Sequence, residues 1–341
     1  MKIDPLSVKS YDYDLPKELI ATQPANPRDS AKLLVYDREQ DTIVDTTFKN
    51  LLSFIPKDTK IFFNDTKVIK ARIFGKKQSG GRVELLLNSV LDNNDFLVFI
   101  KGRVKVGTKL IFDNNLESIV LKLQDDGSRV VKFYHLQKEL DFNSLHDILE
   151  KIGHTPLPPY IKREDVKSDE IDYQSVFAKN IGAVAAPTAS LHFSDELFLK
   201  TKERFDISFI TLHIGAGTFK PIECENIKEH IMHEEYYNIS QNAQNIINSN
   251  HKILAVGTTV TRAVEYFVRT KIPLGNANLF LHPLNRPLRV NYLLTNFHLP
   301  KSTLLMLVSS FVGIEKCLKI YQYAIKKRYK FYSYGDAMLI L

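Results

Sequence analysis

A glycine-rich loop after a β-rich run is the first candidate for chemistry. In ITLHIGAGTF, residues 210–219, the run leads into Gly215, Gly217 and Thr218. Glycines directly after a strand let the backbone approach a ligand closely, as in the Gly-rich turns of dinucleotide-binding folds. Pro221 interrupts the helix that normally follows such a turn, so the segment is either a ligand-binding loop or a simple tight turn.

Histidines and carboxylates supply candidates for proton transfer. In EHIMHEEYY, residues 229–237, a helical conformation would put His230 and His233 on one face, with Glu235 beyond them. A metal could use that face, but the HExxH order of zinc peptidases is absent and no third ligand is evident. The pattern therefore favours hydrogen bonding or proton transfer.

Two predicted helix starts could bind an anion. The first lies in VGTTVTR, residues 256–262, where a strand and a glycine lead into a helix that begins with Thr258 and Thr259, and Arg262 follows one turn later. Free N–H groups and hydroxyls at a helix N-terminus bind anions, and Arg262 would complete such a site. Ordinary capping of the helix by Thr258 or Thr259 is the alternative.

The second helix start lies in TNFHLPKST, residues 295–303. Lys301 and Ser302 resemble the end of a phosphate-binding loop, but the upstream glycines of that motif are absent. The alternative is a helix that is simply capped by Ser302 or Thr303.

Other polar residues lie next to these segments. In VAAPTASLHF, residues 184–193, small residues before Thr188 permit close approach of a ligand, and His192 follows. A lone histidine in such a loop is usually a structural group. Asn296 and His298, next to an apolar helix, are stronger candidates for a polar site.

Positive charge is concentrated in two segments. The chain has 46 Lys and Arg against 39 Asp and Glu, a net charge of +7, which favours anionic partners. Tyrosines are interleaved with cations near the C-terminus, which suits a phosphate backbone with unstacked bases; a solvated helical face is the alternative. This run contains Lys316, Lys319, Tyr321, Tyr323, Lys326, Lys327, Arg328, Tyr329 and Lys330. The other segment contains Lys76, Lys77, Arg82, Lys101, Arg103 and Lys105.

The elements that must position these residues change along the chain. From about residue 76 to 140, short alternating runs divided by Gly, Asn and Asp predict a compact antiparallel sandwich or barrel. Three prolines in GHTPLPPYIKR, residues 153–163, predict an ordered loop at a boundary. Beyond it, strands alternate with helices, which predicts α/β architecture. Near the N-terminus, residues 31–48 predict two strands around a polar turn.

Length and composition exclude several classes of protein. At 341 residues, 44% of them hydrophobic, the chain can form two globular domains and is unlike a disordered protein. Cys224 and Cys317 lie too far apart in sequence for a chelating pair or a disulfide framework, so a cytoplasmic location is predicted. No apolar run reaches the length of about 20 residues that a membrane span needs.

Taken together, the motifs resemble those of one known family, the S-adenosylmethionine:tRNA ribosyltransferase-isomerases of queuosine biosynthesis. The resemblance runs in the family's order from about Tyr11 to Leu341, which is nearly the whole chain. It is carried by PRDSAKLLV, FFNDTKVIKARIFG, GGRVELLL, GHTPLPPYIKR, VAAPTASLHF, TLHIGAGTFKPI, EHIMHEEYY, TNFHLPKSTLLMLVSSF and YKFYSYGDAMLI.

The resemblance implies an enzyme that consumes S-adenosylmethionine as a ribosyl donor and uses no metal or separate cofactor. Its acceptor would be 7-aminomethyl-7-deazaguanine at the wobble position of tRNAs with GUN anticodons. Its products would be epoxyqueuosine-tRNA, adenine and methionine. A monomer without a membrane partner is expected.

The resemblance also implies a fold of the multi-domain α/β class. A discontinuous catalytic domain with a mixed sheet would comprise residues 1–70 and 150–341, and an inserted antiparallel β-barrel domain would comprise residues 71–149. This division agrees with the change in sequence pattern near residue 76.

For this reaction we expect three sets of functional residues. Candidates for proton transfer are His192, His213, His233 and His298, with Glu235 able to orient one of them. Substrate binding is expected at Thr188, Gly215, Gly217, Thr218, Thr258, Thr259, Arg262, Asn296, Lys301 and Ser302. Contacts with tRNA are expected at Arg82, Lys101, Arg103, Lys105, Lys326, Lys327 and Arg328.

The chain departs from the family pattern at a few positions. Ser190 stands where glycine is usual, and Val260 and Thr261 replace a serine-valine pair. Leu284 and Asn291 stand in a stretch that commonly carries glycine and aspartate. These departures concern the substrate loops and leave the expected reaction unchanged.

Two other function classes are compatible with parts of the sequence. The GAGT loop alone resembles that of S-adenosylmethionine-dependent RNA methyltransferases, and a basic β-barrel fits a non-catalytic RNA-binding protein. The chemical fate of S-adenosylmethionine and of the tRNA distinguishes these alternatives from ribosyl transfer.

Overall fold

A computed structural model describes residues 3–219 and 222–341; the side chains of Thr218 and Phe219 lie outside the description. In chain order the strands are β1 (Lys32–Asp37), β2 (Thr42–Thr47), β3 (Lys60–Asn64), β4 (Thr66–Val68), β5 (Arg72–Lys77), β6 (Arg82–Val90), β7 (Phe96–Lys101), β8 (Lys109–Phe112), β9 (Leu116–Leu123), β10 (Arg129–His135), β11 (Lys138–Glu139), β12 (Asn180–Ala183), β13 (Ile207–Leu212), β14 (Glu235–Asn238), β15 (Ile253–Val256), β16 (Leu274–Ala277), β17 (Tyr292–Asn296) and β18 (Ala337–Ile340).

The α-helices are α1 (Phe142–Ile152), α2 (Asp169–Asp172), α3 (Asp195–Arg204), α4 (Gln241–Ile247), α5 (Thr258–Thr270), α6 (Thr303–Val312) and α7 (Ile314–Lys326). Short 3-10 helices cover Val8–Tyr11, Lys17–Leu19, Arg28–Ser30, Phe48–Ser53, Asp92–Asn94, Thr188–His192, Ala216–Phe219 and Ile227–Glu229. Across the described ranges, no helix is both long and apolar enough to cross a membrane.

The largest element is a mixed sheet of nine described strands, in the order β16–β14–β13–β3–β15–β17–β18–β1–β2. Its central strands β13, β3, β15 and β17 are parallel, whereas β18 runs antiparallel to β17. Strand β15 has the sequence ILAV and is buried at every position, which is typical of a parallel strand covered on both faces. Because the carboxyl ends of parallel strands meet at one edge, the loops after β15 and β17 lie side by side.

Both faces of this sheet are covered by apolar cores, as β1 illustrates. Leu34 and Tyr36 belong to a core that includes the buried side chains of α6 and α7. Leu33 and Val35 belong to a separate core that includes residues of α3 and the 3-10 helix Phe48–Ser53. Alternate side chains of a strand point to opposite faces, so the run LLVY serves both cores.

Six other strands close into an antiparallel barrel. Among the described residues their order is β10–β7–β6–β5–β8–β9, and pairing of β9 with β10 closes the ring. Strand β6 alternates buried and half-buried side chains from Val83 to Leu87, and the buried ones join the barrel core. The predicted fold class, a mixed-sheet α/β fold with an antiparallel β-barrel, is confirmed. The domain limits at residues 71 and 149 stay a prediction.

Two predictions of strands and helices are confirmed, and a helical conformation at a third segment is not found. The strand pair over residues 31–48 and the strand-to-helix unit formed by β15 and α5 are present. The helical conformation considered for His230 and His233 is absent, because residues 230–234 form an irregular connection between the 3-10 helix Ile227–Glu229 and β14. Three-residue spacing is compatible with a helix but does not by itself stabilise one.

Candidate active site

A cavity of about 550 Å³, here called the carboxyl-edge cavity, opens where the parallel strands β15 and β17 end. Its walls are residues 257–259 after β15, residues 296–302 after β17, and residues 185–189. Ligands of open α/β sheets bind outside the carboxyl ends of the strands. The predicted substrate-binding residues that line this cavity are Thr188, Thr258, Thr259, Asn296, Lys301 and Ser302.

Two α-helices begin at the wall of this cavity, and they are capped differently. Helix α5 begins at Thr258, and its N-cap is Gly257, with a φ of 101° that side chains rarely adopt. The alternative interpretation, a cap formed by Thr258 or Thr259, is therefore wrong. Thr259 Oγ1 is buried without a hydrogen-bond partner among the described residues. Helix α6 is capped as predicted, because Ser302 Oγ accepts a hydrogen bond from the Leu305 N–H at 3.2 Å.

The buried side chain of Asn296 is held by its amide nitrogen. Nδ2 donates to the carbonyl oxygens of Tyr332 at 3.0 Å and Ser333 at 3.4 Å, and it lies 3.2 Å from His192 Nε2. Within the described part of the chain, Oδ1 of Asn296 has no partner. His192 therefore does not line the cavity itself but contacts Asn296, which does.

Burial keeps two of the candidate histidines neutral. It lowers the pKa of His192 to about 4 and the pKa of His298 to about 3. His298 lines the carboxyl-edge cavity, and its Nε2 lies 2.9 Å from Thr295 Oγ1. A group with so low a pKa takes up a proton weakly at neutral pH, so both side chains suit hydrogen bonding better than proton abstraction.

A second cavity of about 710 Å³, here called the barrel-side cavity, lies between the glycine loop and the barrel. Gly215, Gly217 and His213 line it from the loop. The backbone of Thr218 belongs to the 3-10 turn that follows, and its side chain lies outside the description, as does Pro221.

The barrel holds the glycine loop through Asn88. The pairing register of β6 and β7 shifts between Leu87 and Ser89, so Asn88 occupies a β-bulge. Its Oδ1 accepts a hydrogen bond from the Ala216 N–H at 2.7 Å. A bulge re-aims a side chain, and here it directs a barrel residue to the backbone between the two loop glycines.

His213 is positioned by Thr66 of β4 and Tyr236 of β14. Its Nδ1 lies 2.8 Å from Thr66 Oγ1, and its ring stacks on that of Tyr236 with the centroids 5.6 Å apart. Burial lowers the pKa of His213, while the Asp65 carboxylate opposes that shift. The imidazole is therefore neutral at physiological pH and able to accept a proton.

His233 packs directly against the glycine loop. A Cβ atom on Gly217 would come within 2.8 Å of the His233 ring, so any larger residue here would displace that ring. His233 lines the barrel-side cavity and also a third cavity of about 600 Å³. Among residues 3–219 and 222–341, no three His, Cys, Asp or Glu side chains are grouped so as to hold a metal ion.

A buried ion pair connects the third cavity to α5. Arg262 Nη1 lies 2.7 Å from Glu235 Oε2, and both side chains are less than a tenth exposed. Arg262 also donates to the carbonyl oxygen of Leu279 at 3.2 Å. Arg262 therefore does not join Thr258 and Thr259 in an anion site at the start of α5, and it lines the third cavity. The predicted contact of Arg262 with substrate stays a prediction.

The candidate tRNA-binding cations lie on two surfaces. All of them are exposed: Arg82, Lys101, Arg103 and Lys105 on the barrel, and Lys326, Lys327 and Arg328 at the end of α7. The tyrosines beside the second group differ from expectation. Tyr321 and Tyr329 are buried and belong to the core under α7, so the idea that they stack on bases is wrong.

Acidic residues from the hairpin of β1 and β2 offset the C-terminal cations. Lys316 Nζ lies 2.5 Å from an oxygen of Asp41, and Lys327 Nζ lies 4.0 Å from one of Asp45. Lys301, at the carboxyl-edge cavity, likewise pairs with Asp12 at 2.6 Å. The positive charge that the sequence concentrates in one run is thus partly balanced in the fold.

Sequence reasoning missed Asn88 and Thr66. In RVELLLNSV the alternate buried apolar positions end at Leu87, because the next such position is Ser89 and the apolar Val90 falls on the other face; such a shift indicates a bulge. Thr66 carries no comparable signal, because its partner His213 is distant in sequence. The family departures line none of the three cavities as described; they are Ser190, Val260, Thr261, Leu284 and Asn291.

Comparisons with known proteins identify the family. A family model described as "Queuosine biosynthesis protein" matches residues 8–340. The S-adenosylmethionine:tRNA ribosyltransferase-isomerases of Aliarcobacter butzleri and Nitratiruptor sp. are 59% and 60% identical, over 99% of this chain and 100% of each relative. A crystal structure of S-adenosylmethionine tRNA ribosyltransferase from Thermotoga maritima is 31% identical, with a TM-score of 0.55 over 97% of this chain and all of that chain. The chain therefore belongs to the queuosine biosynthesis protein family, among the S-adenosylmethionine:tRNA ribosyltransferase-isomerases.

Proposed function

We propose that this protein transfers the ribosyl group of S-adenosylmethionine to 7-aminomethyl-7-deazaguanine at the wobble position of tRNAs with GUN anticodons and isomerises it. The products are epoxyqueuosine-tRNA, adenine and methionine. The observation that carries the proposal is the full-length similarity to enzymes of that name. The sulfonium of S-adenosylmethionine provides the leaving group, so the proposal includes no metal and no separate cofactor.

The carboxyl-edge cavity and the barrel-side cavity support a division of labour in this reaction. We assign S-adenosylmethionine to the carboxyl-edge cavity, because α5 and α6 both begin at its wall and the positive ends of helix dipoles favour a carboxylate. We assign the 7-deazaguanine nucleotide to the barrel-side cavity, which adjoins the barrel. The glycine loop contributes Ile214 to the first cavity and Gly215 and Gly217 to the second, so the reacting groups would meet beside it.

The proton next to sulfur requires a base, and the four histidines are unequal candidates. His192 and His298 have strongly lowered pKa values, so they are poor proton acceptors at neutral pH. His213 and His233 line the barrel-side cavity next to the glycine loop. We therefore propose that one of these two removes the proton.

Single-turnover release of adenine tests this assignment. We expect His213→Ala or His233→Ala to slow release by about a hundredfold or more, which is the usual contribution of a general base. His298→Ala should slow it less. Near wild-type rates in all four histidine variants would exclude a histidine base.

Mass spectrometry of treated tRNA tests the function itself. Ribosyl transfer gives a ribosyl-derived adduct on the tRNA together with free adenine. A methyl increment with S-adenosylhomocysteine would instead indicate a methyltransferase, and unchanged tRNA would indicate a binding protein. The same reaction with tRNAs that differ in the first anticodon base tests the GUN requirement.

We further propose that the exposed cations of the barrel and of the end of α7 contact the tRNA backbone, and that the enzyme acts as a cytoplasmic monomer. Phosphate contacts should make tRNA binding weaken steeply as salt increases. Sedimentation of the full-length chain at micromolar concentration tests the monomer, and fractionation of cells tests the location.

A further inference from the structure

One side-chain oxygen at the carboxyl-edge cavity, Oδ1 of Asn296, is buried and receives no hydrogen bond from the described residues. Asn296 is 1% exposed, and no described residue donates to its Oδ1. Thr259 Oγ1, also buried at the cavity wall, lacks a partner in the described part of the chain as well. Buried polar atoms are nearly always hydrogen-bonded in folded proteins, so unpaired ones in a cavity indicate where a ligand binds.

The orientation of the Asn296 amide is determined by its neighbours. Nδ2 faces the carbonyl oxygens of Tyr332 and Ser333, which can only accept hydrogen bonds. Rotating the amide by 180° would set Oδ1 against those two oxygens, and both contacts would become repulsive. Oδ1 is therefore held on the other side of the amide as a fixed acceptor.

His192 strengthens that orientation from a third direction. Its Nε2 lies 3.2 Å from Asn296 Nδ2, and the buried ring is neutral, so Nε2 is able to accept a hydrogen bond. The two residues are 104 positions apart in sequence and meet because the 3-10 helix Thr188–His192 packs beside β17. Three acceptors thus surround the amide nitrogen.

The charges around the cavity indicate which donor fits. Its described lining contains Lys301 but no Asp or Glu, and most of the remainder is apolar, including Ala186, Pro187, Phe297 and Leu299. The described lining supplies no carboxylate to balance an ammonium group held at Asn296 Oδ1 itself. A neutral amino group on a flat ring fits both the apolar walls and the fixed acceptor of Asn296.

We infer that Asn296 Oδ1 accepts a hydrogen bond from the exocyclic amino group of the adenine of S-adenosylmethionine, and that His192 is the positioning residue that holds the amide for it. The inference rests on the proposed function and adds the residue by which this site selects adenine. In the 6-oxo analogue, the carbonyl oxygen would face Asn296 Oδ1 and repel it.

Binding of two matched ligands to the full-length protein tests the role of Asn296. S-adenosylhomocysteine carries the 6-amino group, and S-inosylhomocysteine carries a 6-oxo group in its place. By calorimetry, the wild-type protein should prefer the first by about tenfold or more, the usual scale for a buried polar group left unpaired. Asn296→Ala should reduce this preference to within about twofold.

The apolar wall provides a matched control. Leu304 lines the same cavity, so Leu304→Ala should weaken both ligands equally and leave the preference unchanged. Thermal melts establish that each variant is folded. A wild-type protein without the preference, or an Asn296→Ala variant that keeps it, would overturn the inference.

The positioning role of His192 is tested by loss and rescue. His192→Phe removes the acceptor beside Nδ2 and should reduce the preference for the 6-amino ligand, whereas His192→Gln restores an acceptor and should recover much of it. A purely structural role would weaken both ligands in parallel. Adenine release by the wild-type enzyme tests the proposed function separately: release together with an unchanged preference in the variants overturns the Asn296 and His192 assignment alone.

Discussion

The carboxyl-edge cavity and the barrel-side cavity lie on either side of one loop but are built differently. The first is formed where strands of a single sheet end, and its polar groups are fixed by buried hydrogen bonds such as those of Asn296. The second lies between two sheets, and its loop is attached to the barrel by Asn88. Ligand selection in the first should therefore depend on local hydrogen bonds, and catalysis in the second on how the barrel holds the loop.

The largest effect is expected from the ion pair beside the barrel-side cavity. Glu235→Gln leaves the buried Arg262 guanidinium without its counter-charge, which should lower the free energy of unfolding by about 3–5 kcal/mol. The exposed pair of Lys200 and Glu196 provides the control, because solvent screens its charges and Glu196→Gln should leave the free energy of unfolding nearly unchanged. Urea denaturation measures both. Equal losses in the two variants would show that burial of the pair does not matter.

Two buried histidines at and beside the carboxyl-edge cavity should make the stability of the protein depend on pH. Lowered pKa values mean that His192 and His298 take up protons more readily in the unfolded chain. Their contribution to stability is complete above about pH 6.5, where neither state is protonated, and is lost as the pH falls toward 4 and 3, respectively. The free energy of unfolding should fall by about 1.4 kcal/mol per pH unit for each group.

His192→Gln isolates one of these groups. Between pH 6 and 4.5, the slope of the free energy of unfolding against pH should be smaller in this variant than in the wild-type protein by about 1.4 kcal/mol per pH unit. Urea denaturation at several pH values measures that slope. A slope equal to that of the wild-type protein would mean that His192 is not held neutral by the fold.

Removing the hydrogen bond between Asn88 of the barrel and Ala216 of the glycine loop should impair the reaction with tRNA but not binding at the carboxyl-edge cavity. Asn88→Ala leaves the Ala216 N–H without its acceptor, a loss of about 1–2 kcal/mol, or about fivefold to thirtyfold in kcat/KM for tRNA. Affinity for S-adenosylhomocysteine should stay within about twofold, because that ligand is assigned to the other cavity. The exposed Asn50 serves as control: Asn50→Ala should change neither quantity. Parallel loss of both in Asn88→Ala would show that the cavities are not independent.

Local sequence patterns predicted most of the fold, but they could not predict which residues distant in sequence contact each other. The alternation in β6 and the start of α6 at Ser302 follow from short-range rules, and both are found in the structure. The contact of His192 with Asn296 joins residues 104 positions apart, and no period in the sequence specifies it. Candidate residues could therefore be named, but their grouping into separate cavities could not.

The charged run near the C-terminus shows the same limit. Its cations were visible in the sequence, but Tyr321 and Tyr329 proved to be core residues. Tyr321 lies on the inner, apolar face of α7, and Tyr329 follows the helix and packs into the same core. Asp41 and Asp45, which offset the cations, come from the opposite end of the chain.

The smallest effect is expected on the salt dependence of tRNA binding, and it compares the two basic surfaces. One triple variant replaces Lys101, Arg103 and Lys105 by glutamine, and the other replaces Lys326, Lys327 and Arg328. Both remove three positive charges, so the two variants have the same net charge and serve as each other's control.

The barrel variant should change the salt dependence more. The two groups are balanced to a similar extent, because Lys101 Nζ lies 3.8 Å from Glu84 and Lys327 Nζ lies 4.0 Å from Asp45. The difference is expected from the position of the barrel group near the cavity assigned to the acceptor nucleotide. If the barrel-side cavity binds the nucleotide, the slope of log K against log salt should decrease by about 2 for the barrel variant, close to 0.7 for each lost phosphate contact. The C-terminal variant should change it by less than 1. Filter-binding titrations at several salt concentrations measure both slopes. A larger change in the C-terminal variant would contradict binding of the tRNA backbone at the barrel and, with it, the assignment of the acceptor nucleotide to the barrel-side cavity.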